Sequence, residues 1–435
     1  MSDDGRNSTN SFLIDVSFSK NSIIIFINHR SDKIGENMKK VLILTADAGF
    51  GHRSAANAIV EALQNQNFLD VEVKVQNLLN DPKTPALLRN SQYDYDKLIR
   101  DSPKLYEFGY ESSDKPFPSQ LAQIGLSALL FKSFSNEIDD YRPDIIVNTY
   151  PLYHSPAQTW YLINEASWTS DEIAKFIPQS AISKYSFQGK HIPFITIITD
   201  FASVHLLWMS FLPDAYCVAT ELMREQVIRN GLSPEKVFCT GIPVKPIFSS
   251  ETRSKAELRN YFDLNPEKTT ILAIGSKRVT NLFENLMAIN HSGFELQLIM
   301  VAGGDEKLFN TMKNTKWNFP VKIFNFTQEL PEMMLASDFV VTKAGGLVTS
   351  EALAAGLPMI LIDVLPGQEE GNANFVQNNG AGIVVSDPIK TMETITLWLR
   401  NNQIRLKTAA ENARRIGRPD SSSQIVKIIE DQLNV

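Results

Sequence analysis

The chain is short of several things, and each shortage narrows what it can be. It has two cysteines in 435 residues, Cys217 and Cys239, and six histidines. The cysteines stand too far apart for a zinc spacing. Both lie in apolar stretches that read as strands, so two buried free thiols are expected, with a disulfide as the alternative. No apolar run approaches the roughly 18 residues needed to span a bilayer. A short early block, Ser22 to Ile27 (SIIIFI), has no basic segment before it and no small-residue cleavage site after it, so it does not read as a secretory leader. Positive charge is lacking too. A net charge of −7 excludes a whole-chain basic field, and no nucleic-acid partner is expected. The expected location is the cytoplasm, with attachment to a membrane face left open.

What is present is an α/β rhythm sustained over most of the chain. Residues 1–37 are polar and poorly patterned, and read as a disordered tail or an upstream extension of the reading frame. Strands are expected at Val41–Leu44, Val71–Val75, Ile145–Asn148, Phe194–Ile198, Ala215–Val218 and Val237–Cys239. Residues 160–190 look like an insertion with loop character. Gly241-Ile242-Pro243-Val244-Lys245-Pro246 carries two prolines and reads as a stiff linker. The second half repeats the pattern, with strands at Thr270–Ile274, Gln297–Val301 and Val321–Phe324, and again from Val340. Two Rossmann-like domains facing across a cleft are therefore expected, over 38–245 and 246–435, with the last helix returning to the first domain.

Polar groups gather at a few strand ends. Lys343-Ala344-Gly345-Gly346 opens a helix that carries Glu351. A glycine turn at a helix N-terminus lets a phosphate approach backbone N–H groups, and Lys343 adds a point charge. A carboxylate such as Glu351, facing the cleft, can accept two vicinal hydroxyls. Pro366-Gly367-Gln368-Glu369-Glu370-Gly371-Asn372 follows a buried strand and suits hydrogen bonding to a polyol. His52 follows Gly51 at the head of the first helix, where the helix end lowers its pKa and favours a neutral, proton-accepting imidazole. Asp200, His205 and Trp208 form a second cluster. Each piece alone also fits an ordinary turn, cap or solvated side chain. Asp94-Tyr95-Asp96 fits the metal-binding D-x-D of some sugar transferases but sits in a surface-like stretch and is discounted. An excursion over Asp81–Gln120, rich in aromatic and apolar residues with lysines nearby, could equally pack on the domain or lie on a lipid interface.

Taken in order, four separated motifs resemble the monogalactosyldiacylglycerol synthase / processive diacylglycerol glycosyltransferase family. ILTADAGFGHRSAANAI resembles its amino-terminal glycine loop, with Gly49, Gly51 and His52. ITDFASVHLLW carries its Thr-Asp, His and Trp. GIPVKPIF resembles its interdomain linker. VTKAGGLVTSEALAAGLPMIL with LPGQEEGNANFV resembles its nucleotide-sugar signature. The resemblance implies a GT-B fold, a UDP-glucose or UDP-galactose donor, a diacylglycerol acceptor and inverting transfer, with no cofactor and no obligatory metal. It implies that Glu351 holds the ribose, that Ala344, Gly345 and Gly346 receive the diphosphate, and that Gln368, Glu369 and Asn372 hold the sugar. Phe326 falls where the family cradles uracil, and Gly275 at a neighbouring strand end. His52 and Asp200, with Gly49, Gly51, His205 and Trp208, fall on the acceptor side, and either His52 or Asp200 would be the base.

Two departures stand out. Gly275-Ser276-Lys277 replaces a usual Gly-Gly pair, leaving Lys277 or Arg278 to supply charge. Asn148-Thr149-Tyr150-Pro151 replaces a usual His-Pro, with His154 as a partial substitute. The rivals are a UDP-N-acetylglucosamine transferase acting on a peptidoglycan lipid intermediate, a UDP-sugar epimerase, and a non-catalytic UDP-sugar sensor. A lipid acceptor implies a peripheral protein on the cytoplasmic face of the cell membrane, in contact with its surface and with anionic lipids.

Overall fold

The computed structural model describes residues 13–18, 22–28, 38–47, 51–65, 70–86, 88–90, 116–164, 191–202, 204–209, 213–365 and 369–434. They build two sheets. The first contains β1 (Leu13–Phe18), β2 (Ser22–Asn28), β3 (Lys39–Leu44), β4 (Val71–Gln76), β5 (Ile145–Asn148), β6 (Phe194–Ile197), β7 (Ala215–Val218) and β8 (Val237–Cys239). Their order is β1-β2-β4-β3-β5-β6-β7-β8. From β4 to β8 every pair is parallel.

The cause is visible in the side chains. Val41, Leu42, Ile43 and Leu44 are all buried. That is the pattern of a parallel strand covered on both faces. Val41 and Ile43 pack with Ala56, Ile59 and Leu63 of the first helix, Gly51–Asn65. Leu42 and Leu44 pack on the opposite face with Leu130, Phe134 and Ile138 of the long helix Pro116–Tyr141 and with Trp160 of the helix His154–Asn164.

The second sheet contains β9 (Thr269–Ile274), β10 (Leu296–Val301), β11 (Val321–Phe324), β12 (Phe339–Thr342), β13 (Met359–Leu361) and β14 (Gly382–Val384). Its order is β11-β10-β9-β12-β13-β14 and all its pairs are parallel. The expected two-sheet α/β architecture is thus present.

The region before Met38 departs from its reading as a disordered tail. β2 pairs antiparallel with β4, placing Ile25 opposite Val73 and Ile27 opposite Val71, and β1 pairs antiparallel with β2. Ile25 and Ile27 are buried in the same core as Val71 and Val73. The SIIIFI block carries four β-branched isoleucines, which suit a strand, and it buries alternate ones, Ile25 and Ile27. Both cysteines are free thiols. Of the stretch 160–190 expected to have loop character, residues 160–164 are helical. Residues 165–190, Gly49, Gln368, Asp94-Tyr95-Asp96 and the 91–115 part of the aromatic excursion lie outside the described residues.

The chain crosses between the sheets twice, side by side. Gly241 in the linker has φ +89°, and a Cβ there would stand 2.7 Å from Arg418 Cβ. The Val244 N–H donates to Ser421 Oγ at 3.1 Å, and Ser422 Oγ donates to the Val244 carbonyl. The helix Ser421–Leu433 then buries Ile425, Val426, Ile429 and Leu433 in the first sheet's core. Replacing the fully buried Ile429 by Ala is expected to cost about 2–5 kcal/mol in urea denaturation. A loss below about 0.5 kcal/mol would mean that this helix is not part of that core.

Candidate active site

In each sheet the strand order reverses at one point, between β3 and β5 in the first and between β9 and β12 in the second. Loops diverge there at the carboxyl ends, leaving a crevice where ligands bind in open α/β sheets. His52 and Thr149 stand at the first crevice. Lys343 to Gly346 stand at the second.

His52 is held at one ring nitrogen. Its Nδ1 lies 2.8 Å from the Thr149 carbonyl and 2.8 Å from Thr199 Oγ1. A carbonyl only accepts, so Nδ1 carries the proton and Nε2 carries the lone pair. No described residue bonds Nε2. The edge of Tyr150 lies 4.9 Å from the imidazole, centroid to centroid, and Trp208 lies 6.4 Å away. Desolvation by these surroundings lowers the imidazole to about 4, against a weaker upward pull from the Thr149 carbonyl. The ring is therefore neutral at pH 7.

Asp200 does not orient His52. Its Oδ2 accepts from the Trp208 indole at 2.8 Å, which fixes a half-buried carboxylate at the end of β6. His205 is buried and turned into its own turn, where Nδ1 accepts from the Leu207 N–H at 3.1 Å. It is a cap for that turn, a role any short polar acceptor fills. His154 is a core residue. Its Nε2 lies 3.0 Å from Thr196 Oγ1, its Nδ1 has no partner among the described residues, and burial lowers its pKa to about 3.

In the second half, Lys343 Nζ is ion-paired with Glu369 Oε1, and Glu369 Oε2 accepts from the Leu365 N–H at 3.2 Å. Two residues expected to contact one ligand separately thus hold each other. Asn372 is buried, and its Nδ2 donates to the Ala344 carbonyl at 2.9 Å, bracing the turn from behind. Gly345 caps the helix Gly346–Ala354, and the Ala344 side chain is buried in the core beneath. The first N–H groups of that helix have no acceptor within it.

Glu351, one turn further on, is half-buried. Burial pushes its carboxyl up to about 7, with Lys245 from the linker pulling the other way. Phe326, just past β11, is 64% exposed. A Cβ on Gly275 would meet Leu308 Cδ2, the end of a flexible side chain that can turn aside.

The halves come into direct contact beside the site. A Cβ on Gly346 would stand 2.9 Å from the Thr199 carbonyl oxygen. Beside it, the rings of Phe201 and Phe375 meet edge to face at 5.0 Å. Gly51 heads the first helix with open space around its α-carbon. Asp47, just before the glycine loop, accepts from Arg53 Nε at 2.8 Å, from Asn77 Nδ2 at 2.9 Å and from Asn80 Nδ2 at 3.3 Å. These bonds outweigh its desolvation and leave its pKa lowered.

Several residues here escaped the sequence reading. Thr149 and Thr199 were visible only as strand-end residues beside more conspicuous neighbours. Asp363 was not singled out. At φ +48° it accepts the Thr280 and Asn281 N–H groups at 2.8 and 2.9 Å, tying the loop after β13 to the adjacent helix.

The two sheets and facing crevices are those of a two-domain glycosyltransferase of the GT-B architecture. The fold is similar to that of MurG from Acinetobacter baumannii, with TM-score 0.53 at 15% identity, over 90% of this chain and 99% of that one. It is also similar to the calicheamicin glycosyltransferase CalG4, with TM-score 0.54 at 12% identity, over 92% and 99%. In sequence, residues 52–163 and 174–244 match the monogalactosyldiacylglycerol (MGDG) synthase family model, and residues 275–428 match the glycosyltransferase family 28 C-terminal domain. Monogalactosyldiacylglycerol synthase 3 of Arabidopsis thaliana is 28% identical over 91% of this chain and 81% of its own length. A probable monogalactosyldiacylglycerol synthase 2 of Oryza sativa subsp. indica is 29% identical over 90% and 80%. The chain is similar to monogalactosyldiacylglycerol synthases over nine-tenths of its length.

The buried, neutral His154 makes a prediction about acid. Its folded pKa lies below the unfolded value, so the folded state is disfavoured as pH falls from about 6.5 toward 3. By pH 5 this one group should cost about 2 kcal/mol. The melting temperature should fall between pH 7 and 5, and His154→Gln should flatten that fall. An equally steep fall in His154→Gln would place the acid sensitivity elsewhere.

Proposed function

We propose that the protein transfers a hexose, galactose or glucose, from a UDP-sugar to diacylglycerol or a glycosyl-diacylglycerol, with inversion at the anomeric carbon. The observation that carries this reading is the neutral His52 with Nε2 unbonded, one residue away from the glycine turn of the opposite domain. The similarity to these synthases supports the donor and acceptor classes.

In this mechanism His52 Nε2 takes the proton of the acceptor hydroxyl as its oxygen attacks the anomeric carbon. The bond to the diphosphate breaks on the opposite face. The imidazolium charge is stabilised at Nδ1 by the Thr149 carbonyl and Thr199 Oγ1. The leaving UDP gathers negative charge at the head of the Gly346–Ala354 helix, where the Gly345 and Gly346 N–H groups and the helix dipole stabilise it. Lys343 joins them by turning from Glu369 toward the diphosphate, which leaves the Glu369 carboxylate to accept sugar hydroxyls together with Gln368. Glu351 accepts the ribose hydroxyls, and Phe326 offers its exposed ring to the uracil. Asn372 acts behind the turn. Asp200, clamped by Trp208, is the second candidate for the base.

The lipid acceptor calls for a protein that visits a membrane surface, and peripheral attachment at the cytoplasmic face, favoured by anionic lipid, is the proposed mode. No helix among the described residues is long and apolar enough to cross a membrane.

The test is incubation with radiolabelled UDP-galactose or UDP-glucose and diacylglycerol vesicles, with and without anionic lipid. Label should move to the lipid fraction. Label that stays water-soluble in every mixture would overturn the reading. His52→Ala should lower kcat by about 10² to 10⁴-fold, and near-native kcat would remove His52 as the base. Glu351 gives an independent test. With its carboxyl near 7 in the free protein, an ionised form that accepts two hydroxyls binds better as pH rises through that value. UDP-galactose or UDP-glucose affinity should rise by about tenfold from pH 6 to 8 in calorimetry, and Glu351→Gln should abolish the slope. A flat profile in the native chain would exclude that contact.

A further inference from the structure

The loop after β6 puts one residue between the two halves of the site. Thr199 is 9% exposed and makes two separate contacts with different atoms. Its side-chain oxygen lies 2.8 Å from His52 Nδ1. Its backbone carbonyl stands where a side chain on Gly346 would be, 2.9 Å from the Cβ position. We propose that Thr199 is a positioning residue that sets the His52 base against the donor's diphosphate turn, fixing the separation of the proton acceptor and the leaving group. This inference rests on the transferase reading above and deepens it.

The Thr149 carbonyl already selects the tautomer, since it forces the proton onto Nδ1. One acceptor leaves the ring free to swing about that bond. A second acceptor on the same N–H, carried by a different strand, holds the ring plane. Thr149 follows β5 and Thr199 follows β6, and these strands pair directly. The clamp is therefore as rigid as the sheet. When the base takes the acceptor's proton, Nδ1–H becomes a charged donor and both bonds strengthen.

The second contact ties this clamp to the other domain. The Thr199 backbone abuts the first residue of the helix that stabilises the diphosphate, with no side chain between them. Displacement in line requires the attacking oxygen and the leaving group to keep their spacing, and an error of about 1 Å can cost on the order of a hundredfold in rate. Glycine at 346 and threonine at 199 meet that requirement together. Threonine also suits the post because its branched Cβ restricts χ1 and so aims the hydroxyl.

The experiment compares Thr199→Val, Thr199→Ser and His52→Ala in the full chain. Thr199→Val should lower kcat about ten- to hundredfold, the worth of one hydrogen bond to a charged group, while KM for the UDP-sugar stays near native. The acidic limb of its pH–kcat profile should move to lower pH, because the imidazolium has lost an acceptor. Thr199→Ser should restore most of kcat. Native kcat with an unmoved acidic limb in Thr199→Val would overturn the proposal, as would Thr199→Ser as poor as Thr199→Val. If His52→Ala keeps near-native kcat, the base reading fails; if His52→Ala is inactive and Thr199→Val is native, only this inference fails. A readout independent of turnover is the His52 Nδ1–H proton resonance of the full chain. It should move upfield in Thr199→Val and hold in Thr199→Ser, and no movement in Thr199→Val would likewise overturn the proposal.

Discussion

One backbone contact sets the geometry of the cleft. The Thr199 carbonyl occupies the space a side chain on Gly346 would need. Both residues follow parallel strands, β6 and β12, that are buried along their whole length. The two halves therefore approach here backbone to backbone, at the ends of two well-packed strands. The base and the glycine turn lie on either side of that point. The linker lies at the same joint, with Ile242 Cδ1 3.5 Å from the Cβ position on Gly346, and the last helix is tied to it. Ser421 and Ser422 bind the Val244 amide, and the Ser421–Leu433 helix roots itself in the first core. A two-domain enzyme of this build keeps its cleft by fixing both the near approach and the crossing strands.

Charge in the second half-site is arranged to be neutral before a ligand arrives. Lys343 and Glu369 cancel each other, and Glu369 is nearly fully buried. A buried ion pair adds little to stability, because desolvating both groups offsets most of their attraction. For the donor proposed above, the pair provides a lysine and a carboxylate held close together and partly desolvated, which diphosphate and hexose would then separate. Glu351 follows the same logic from the other side. Burial raises it to about 7, so it is close to ionising when hydroxyls that favour the charged form are offered.

The architecture was legible because parallel strands buried on both faces leave unbroken apolar runs, such as Val41 to Leu44 and Leu298 to Val301. The motifs were legible because glycine turns must sit at strand ends. Other features depend on what the fold brings near. The SIIIFI block joined the first sheet because β4 offered an open edge, a fact no local pattern contains. Asn372 looked like a sugar ligand, yet its amide faces back to Ala344 because its helix runs behind the turn. His205 caps its own turn. Thr149 and Thr199 carried no signal of their own, since a hydroxyl or a carbonyl becomes an orienting group only when an imidazole is folded against it.

The partners of His52 also decide what kind of base it is. Where a carboxylate bonds Nδ1, the imidazole pKa rises and the base is strong but protonated through much of the neutral range. Here the partners are a neutral carbonyl and a hydroxyl, with Tyr150 and Trp208 rings around them. The imidazole falls to about 4, so Nε2 is unprotonated across the neutral range but weak as an acceptor. In the proposed mechanism, a diphosphate at the Gly345–Gly346 turn changes that balance, because negative charge nearby favours the imidazolium. As the glycosidic bond breaks and the charge on the diphosphate grows, the same field strengthens the base at the moment the proton moves. Donor cleavage and acceptor activation are then coupled through space, across the joint that Thr199 and Gly346 define, with no carboxylate needed between them.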